Sequence, residues 1–567
     1  MNEPIGYVVG GGLKEGLRIR LTVSADSVQE GSFVVCDSGQ WRYYGLITDL
    51  QLGATDPRFA DEQPARLQSP AIRAALQGKT LYTTLNMFAT LMLELPPDIE
   101  VNRDGYWRWQ ERAGRGEISP RPVKTVPAHH APVRLADAGD VAEIFKGDFT
   151  IGTTIEEPHH PVHLDLKRLV KRSSGIFGAT GTGKSFLTRM VLAGIMQENV
   201  AAALVFDMHN EYGYSDIDSD RGVNVLGLKD LFGRSRVQIA ALGANATVRG
   251  NTPDFTLEIG VKDLTVTDIL LLTEALGLNE SAAVVLNELE NTFRDAWLSE
   301  FMALTPGKKV EFEDERSRLK ETPAPDSVEG WARNHNIHEF SALALHRKLK
   351  IIFDRPYVVD KAYADPVSAI VNKLENGQHV ILSFGEYGGE LDYLLVSNVL
   401  TRRIRSHWVK KTESYKTHGT PPPVPLMIAV EEAHKLLSPS LAHQTTFGTI
   451  ARELRKYFVT LLVIDQRPSA IDDEIMSQLG TRITGWLGDE DDIRAVLTGL
   501  SGREQLRGML ARLQEKEEVL LLGWGVKMPI PIRSRRYDQA FYDEMRGKSG
   551  RSAEKPSVAD INADLFD

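Results

Sequence analysis

From residue 1 to about 150, apolar positions come in short β-type runs, YVV, LRIRLTV, SFVVC, RYYGLITDL and LYTTLNMFATLML, each broken by Gly, Asp or Ser. Runs this short with frequent turn residues predict a small barrel or curled antiparallel sheet. The segment VNRDGYWRWQERAGRGEISPRPVKTVP is rich in Arg and Trp and fits a long hairpin or an exposed arm. Tyr43, Tyr44, Trp107 and Trp109 stand near arginines, a composition found in interface anchors, and a barrel core would use such rings equally well. Between 151 and 262 the pattern becomes SSGIFG, a Gly-rich loop, the helical FLTRMVLAGIMQ and the strand AAALVFD, a βαβ unit that requires a parallel sheet. From 263 to 350 the periodicity turns helical, in VTDILLLTEALG and ESAAVVLNELENTFRDAWLSEFMAL, followed by a charged, Pro-containing stretch through about Asp326. This predicts an inserted helical subdomain. The α/β pattern resumes over 351–545 with HVILSF, the helix LDYLLVSNVLTRRIRSHW, the strand LMIAV, a helix from about Thr445 to Tyr457 and the strand FVTLLVID. Residues 546–567 form a polar tail.

Length and charge narrow the picture. A chain of 567 residues holds about two or three domains. Its 42% hydrophobic and 25% charged residues are ordinary globular values. The net charge of -11, from 66 basic and 77 acidic residues, means that any nucleic-acid contact is local. Cys36 is the single cysteine, which excludes an intrachain disulfide framework and a Cys-based zinc site. No apolar stretch approaches the roughly 20 residues of a membrane span, and MNEPIGYVVG lacks a basic flank followed by an apolar run, so a cytoplasmic protein is expected.

The sharpest chemistry is Gly178-Ala179-Thr180-Gly181-Thr182-Gly183-Lys184-Ser185, a G-x-x-x-x-G-K-[ST] loop between a strand and a helix. Its glycines turn backbone N–H groups toward phosphates at the positive end of the following helix. Lys184 is placed to hold the β and γ phosphates of ATP, and Ser185 to offer its hydroxyl to Mg2+. The strand Leu426 to Val430 runs into Glu431 and Glu432. Carboxylates at the carboxyl end of a buried strand lie beside such a loop, where Glu431 is expected to orient magnesium through water and Glu432 to polarise the attacking water. The bland alternative is a pair of solvated glutamates opening a helix. A third strand, Val459 to Ile464, ends in Asp465-Gln466-Arg467-Pro468, and the Gln466 amide is the candidate γ-phosphate sensor. The strand Ala203 to Phe206 ends in Asp207-Met208-His209-Asn210-Glu211-Tyr212, read as a polar lining of the nucleotide site rather than a metal cluster. Between the acidic strand and the Gln466 strand lies Arg452-Glu453-Leu454-Arg455-Lys456. Phosphoryl transfer uses an arginine against late-developing charge, and ring ATPases take it from the neighbouring subunit. Arg455 is the first candidate and Arg452 the second, against a solvated basic helix face.

Taken together, GATGTGKS, FDMHNEY, IAVEEAHKLL, RELRK and VIDQRPS occur in the order and spacing of the HerA family, hexameric DNA translocases related to FtsK, which about residues 140 to 535 resemble. The resemblance implies a RecA-like P-loop ATPase core, of α/β class, with a small N-terminal β-barrel and an inserted helical subdomain. It matches Lys184 and Ser185 to the phosphate loop, Glu431 and Glu432 to the acidic motif, Gln466 to the sensor, and Asp207 and Glu211 to the polar strand end. Where the family usually has Gly inside the basic motif, this chain has Leu454. The likeness further implies double-stranded DNA as substrate, a homo-oligomeric ring, a hexamer as in that family, and a partner: a NurA-like nuclease in DNA-end processing, or another effector in anti-phage defence. Competing readings are a conjugation-type motor for another polymer and a regulatory nucleotide switch that controls an effector without processive movement.

Overall fold

The computed structural model describes residues 3–54, 81–95, 112, 118–217, 222–313, 319–360, 365–442, 445–500 and 502–549. Near the N-terminus six strands close on themselves in the order Gly16–Leu21, Gly6–Gly12, Pro132–Leu135, Phe33–Ser38, Trp41–Ala54 and Leu81–Glu94, the last pairing back to the first. Alternation along these strands separates two sets of side chains. Val34, Cys36, Tyr43, Ile47, Leu85 and Met87 fill the barrel. Phe33, Val35, Tyr44, Leu46, Leu91 and Leu93 point the other way and join the core of the adjoining α/β unit. Tyr43 and Tyr44 are each 1% exposed, so the anchor reading of these two tyrosines is corrected to a core role. Burying both faces of the sheet is what draws both rings inside; Trp107 and Trp109 lie outside the described residues.

The α/β unit is built on a twelve-stranded sheet. Eight neighbouring strands run parallel, in the order Phe255–Leu257, Val237–Leu242, His379–Ser383, Ala202–Asp207, Leu426–Glu431, Val459–Asp465, Ser174–Phe177 and Thr481–Thr484. Glu518–Gly523, Ile530–Ser534, Phe149–Thr154 and Pro161–Leu164 extend it antiparallel. The central strands are buried at every position, as a parallel sheet covered on both faces requires, which explains their unbroken apolar text. This is the RecA-like P-loop arrangement expected from the sequence.

Between Leu257 and His379 come the helices Ser281–Phe293, Trp297–Ala303, Val328–Asn334 and Glu339–Phe353, packed around Leu286, Trp297, Phe301, Trp331 and Leu349. The charged stretch before Asp326 holds a hairpin, Lys309–Glu313 with Leu319–Pro323, in which Lys309 meets Glu321 at 2.7 Å. The helix expected from Thr445 to Tyr457 is α-helical over Thr446–Glu453 and tightens to a 3-10 turn over Leu454–Tyr457. That turn and Phe458, at φ 64°, reverse the chain into the strand at Val459. Among the described residues no helix is long and apolar enough to cross a membrane.

Candidate nucleotide-hydrolysis site

Parallel pairing brings four strand ends to one edge of the sheet. Phe177 stands level with Asp465, Ile464 with Glu431, and Val430 with Phe206, so the phosphate loop, Gln466, the Glu431-Glu432 pair and Asp207 begin side by side. In the loop Gly181 and Gly183 adopt φ 81° and 85°, a region cheap only for glycine. A Cβ on Gly178 would lie 2.6 Å from Thr182 Oγ1, whose hydroxyl donates to the Ala179 carbonyl at 2.8 Å. The turn delivers Lys184 and Ser185 as the first residues of the helix Lys184–Glu198.

The carboxylates around Lys184 differ in setting. Asp207 is buried and accepts the Glu211 and Tyr212 N–H groups at 2.7 and 3.0 Å. Glu431 is buried too, accepting the Tyr212 hydroxyl at 3.3 Å and the His209 N–H at 3.4 Å, while its carbonyl takes the Tyr393 hydroxyl at 2.7 Å. Burial first, and the charges of Asp207 and Glu211 second, push the Glu431 carboxyl up to about 8. Burial likewise raises Asp207. The Lys184 amine is pushed down by burial, against the pull of Glu432, Asp465, Glu431 and Glu211. Glu211 is held through its carbonyl, which accepts Arg189 Nε at 2.8 Å, and its buried Oε2 has no hydrogen-bond partner.

Magnesium fits this donor set. The hard oxygens of Ser185 and Glu431, with an orphaned carboxylate oxygen on Glu211, suit a cation that uses one or two protein oxygens and completes its shell with phosphate and water. Among the described residues no group of three acidic, His or Cys side chains could hold a metal ion.

Glu432, at φ 48°, accepts the Gln466 amide at 3.1 Å, and Gln466 in turn accepts the Thr180 hydroxyl at 2.5 Å. A chain of contacts thus joins the phosphate loop to both strand ends. Sequence reasoning missed its extension: His434 sits on buried Asp465 through its N–H at 2.7 Å and its Nδ1 at 2.9 Å. The Asp465 bond raises the affinity of His434 for a proton.

The arginines fall elsewhere. Arg455 is exposed in the turn that enters the Val459–Asp465 strand, hence at the opposite edge from Gln466, about 20 Å away over seven residues of strand. Its charge and that of Arg168 depress the Arg172 guanidinium, after burial as the first cause. Arg168 and Arg172 lie over the Trp524 ring at 4.3 and 4.2 Å. Arg172 was missed as a neighbour of Arg455; its only sequence signal is the basic run KRLVKR before the phosphate-loop strand. Arg452 donates to the Ala442 carbonyl at 3.3 Å within its own chain.

Residues 149–404 match the family model described as helicase HerA, central domain. The DNA double-strand break repair helicase HerA of Sulfurisphaera tokodaii is 26% identical over 546 residues, covering 94% of this chain and 93% of that one. Its counterpart in Pyrococcus furiosus is 23% identical over 438 residues, covering 75% and 76%. Among solved structures, the plasmid coupling protein TrwB with a non-hydrolysable GTP analogue aligns at TM-score 0.44 and 13% identity, over 72% of this chain and 94% of that one. The phosphate loop lies inside the stretch that matches the HerA central domain, and a relative of that name aligns along 94% of the chain: the protein is similar to the HerA helicases and is an ATP-hydrolysing enzyme.

Proposed function

We propose that this ATPase is a ring-forming translocase of double-stranded DNA that works with a nuclease or another effector. The names of its relatives, repair helicases, support a DNA-processing role. The observation that carries the ring is the placement of Arg455, Arg172 and Arg168 at the edge of the sheet away from their own phosphate loop. Stacking copies around a ring apposes that edge to a neighbour's nucleotide. In this reading the barrel of residues 1–150 docks the partner and holds the ring, 151–262 and 351–545 form the motor, 263–350 the insertion and 546–567 a tail.

Hydrolysis follows from the placement of the side chains. Gly178, Thr180, Gly181, Thr182 and Gly183 shape the loop around the phosphates, and Lys184 binds the β and γ groups. Ser185 and Glu431 would hold magnesium, which would offset phosphate charge, and Asp207 and Glu211 line the same strand end. A water oxygen attacks the γ phosphorus while the bond to the β–γ bridging oxygen breaks. Glu432 accepts the proton, leaving ADP and phosphate. Gln466, bonded to both Glu432 and Thr180, senses whether the γ-phosphate is in place. The neighbour's Arg455 neutralises the developing charge. ATP turnover by the full chain, with and without linear duplex DNA, tests the reading: strong stimulation by DNA alone is expected. Stimulation only by a protein partner would instead favour a regulatory switch.

A further inference from the structure

Among the described residues, Glu432 is hydrogen-bonded at one side-chain oxygen only. Its Oε1 accepts the Gln466 amide at 3.1 Å, while Oε2 lies 3.7 Å from His434 Nδ1 and has no closer charged neighbour among the described residues. A carboxylate bonded at one oxygen on a left-handed backbone can rotate out of line, and a proton-transfer group works only within a narrow range of position. His434 has the opposite character. Both its backbone N–H and its ring rest on Asp465, which is fully buried and also accepts the Arg467 N–H at 2.7 Å. The ring is therefore fixed to the end of the Val459–Asp465 strand, the strand that carries Gln466, although its own residue belongs to the segment leaving the Leu426–Glu431 strand.

We propose that His434 is a positioning residue for hydrolysis: braced by Asp465, its imidazole confines the Glu432 carboxylate against Gln466 and so sets the direction in which Glu432 takes the water proton. This rests on the assignment of Glu432 as base. It predicts that His434 acts on turnover and not on nucleotide affinity, because among the described residues its polar contacts are with Glu432 and Asp465.

The test is steady-state ATPase kinetics and ATP-analogue binding on the full chain, with thermal melting as a control for folding. For His434→Ala, kcat falls roughly 10- to 100-fold, the usual effect of removing a partner that orients a functional group. KM and analogue binding stay within about two-fold, the pattern of an interaction made only in the transition state. His434→Asn recovers most of the loss, since its amide nitrogen sits where Nδ1 was and donates to Asp465. His434→Gln, whose amide reaches the position of Nε2, does not. Parental kcat in His434→Ala overturns the proposal while leaving the base assignment intact, provided Glu432→Gln is inactive. Equal failure of the Asn and Gln variants, or loss of analogue binding or folding in all three, assigns His434 a structural role and also overturns it. A Glu432→Gln protein with parental turnover removes the base assignment itself.

Discussion

Where the Val459–Asp465 strand ends, the charges of Glu432, Asp465, Glu431 and Glu211 act on the amine of Lys184, whose proton is loosened by burial. Where the same strand begins, Arg168 and Arg172 lie over Trp524, and burial first, with the charges of Arg455 and Arg168 second, depresses the Arg172 guanidinium. Each edge holds an excess of one sign. Phosphoryl transfer needs both: carboxylates to manage magnesium and water, and arginines to offset charge on the leaving phosphates. A single chain cannot fold its two edges together across a rigid sheet, so the contrast favours a site shared between copies.

The contrast breaks most severely at Lys184. Lys184→Ala should reduce ATP turnover to background at saturating ATP, with folding retained, because no other side chain of the phosphate-loop motif can supply a cation to the β and γ phosphates; turnover within a few-fold of the parent would remove the phosphate-loop assignment. Glu432→Gln keeps the carboxylate's shape without its basic lone pair, so analogue binding should persist while hydrolysis falls about 10²- to 10⁴-fold in single-turnover assays. If Glu431→Gln behaves that way and Glu432→Gln does not, the two carboxylates exchange roles.

A smaller effect should separate the edges by pH. Glu431 titrates near 8 in the folded chain against its ordinary 4.5, so the folded state holds a proton that the unfolded state has released between those values. Stability contributed by this group is therefore complete below about pH 4.5 and is lost as pH rises toward about 8. Melting curves of nucleotide-free protein without magnesium should show that decline, and Glu431→Gln should flatten it. An unchanged slope would contradict the buried setting. The smallest change is expected from Arg452→Ala, which loses the bond to Ala442 and should cost about 1–3 kcal/mol of stability in denaturant titrations, with turnover reduced far less than in Arg455→Ala.

The site is legible in the sequence where its residues are contiguous. The phosphate loop is eight successive residues, and the strands before Asp207, Glu431 and Asp465 are unbroken apolar runs that end in polar text. Contacts that join distant segments were not legible. His434 meets Asp465 across 31 positions and Thr180 meets Gln466 across 286, and only the strand order makes them neighbours. Arg172 carries no motif; it becomes a neighbour of Arg455 because the Ser174–Phe177 and Val459–Asp465 strands pair. Tyr43 and Tyr44 were ambiguous for another reason. Alternation puts one inside the barrel and one outside, and only the covering α/β unit buries the second.

Mixed assemblies test the shared site most directly. Arg455→Ala subunits should bind ATP normally and lose about 10³-fold or more in turnover, while Lys184→Ala subunits are inactive on their own account. Combined under conditions where subunits exchange, the two dead proteins should regain measurable ATP hydrolysis, because some interfaces then pair an intact phosphate loop with an intact arginine. No recovery despite demonstrated exchange, or parental turnover by Arg455→Ala alone, would contradict the assignment of Arg455 to the neighbour's nucleotide.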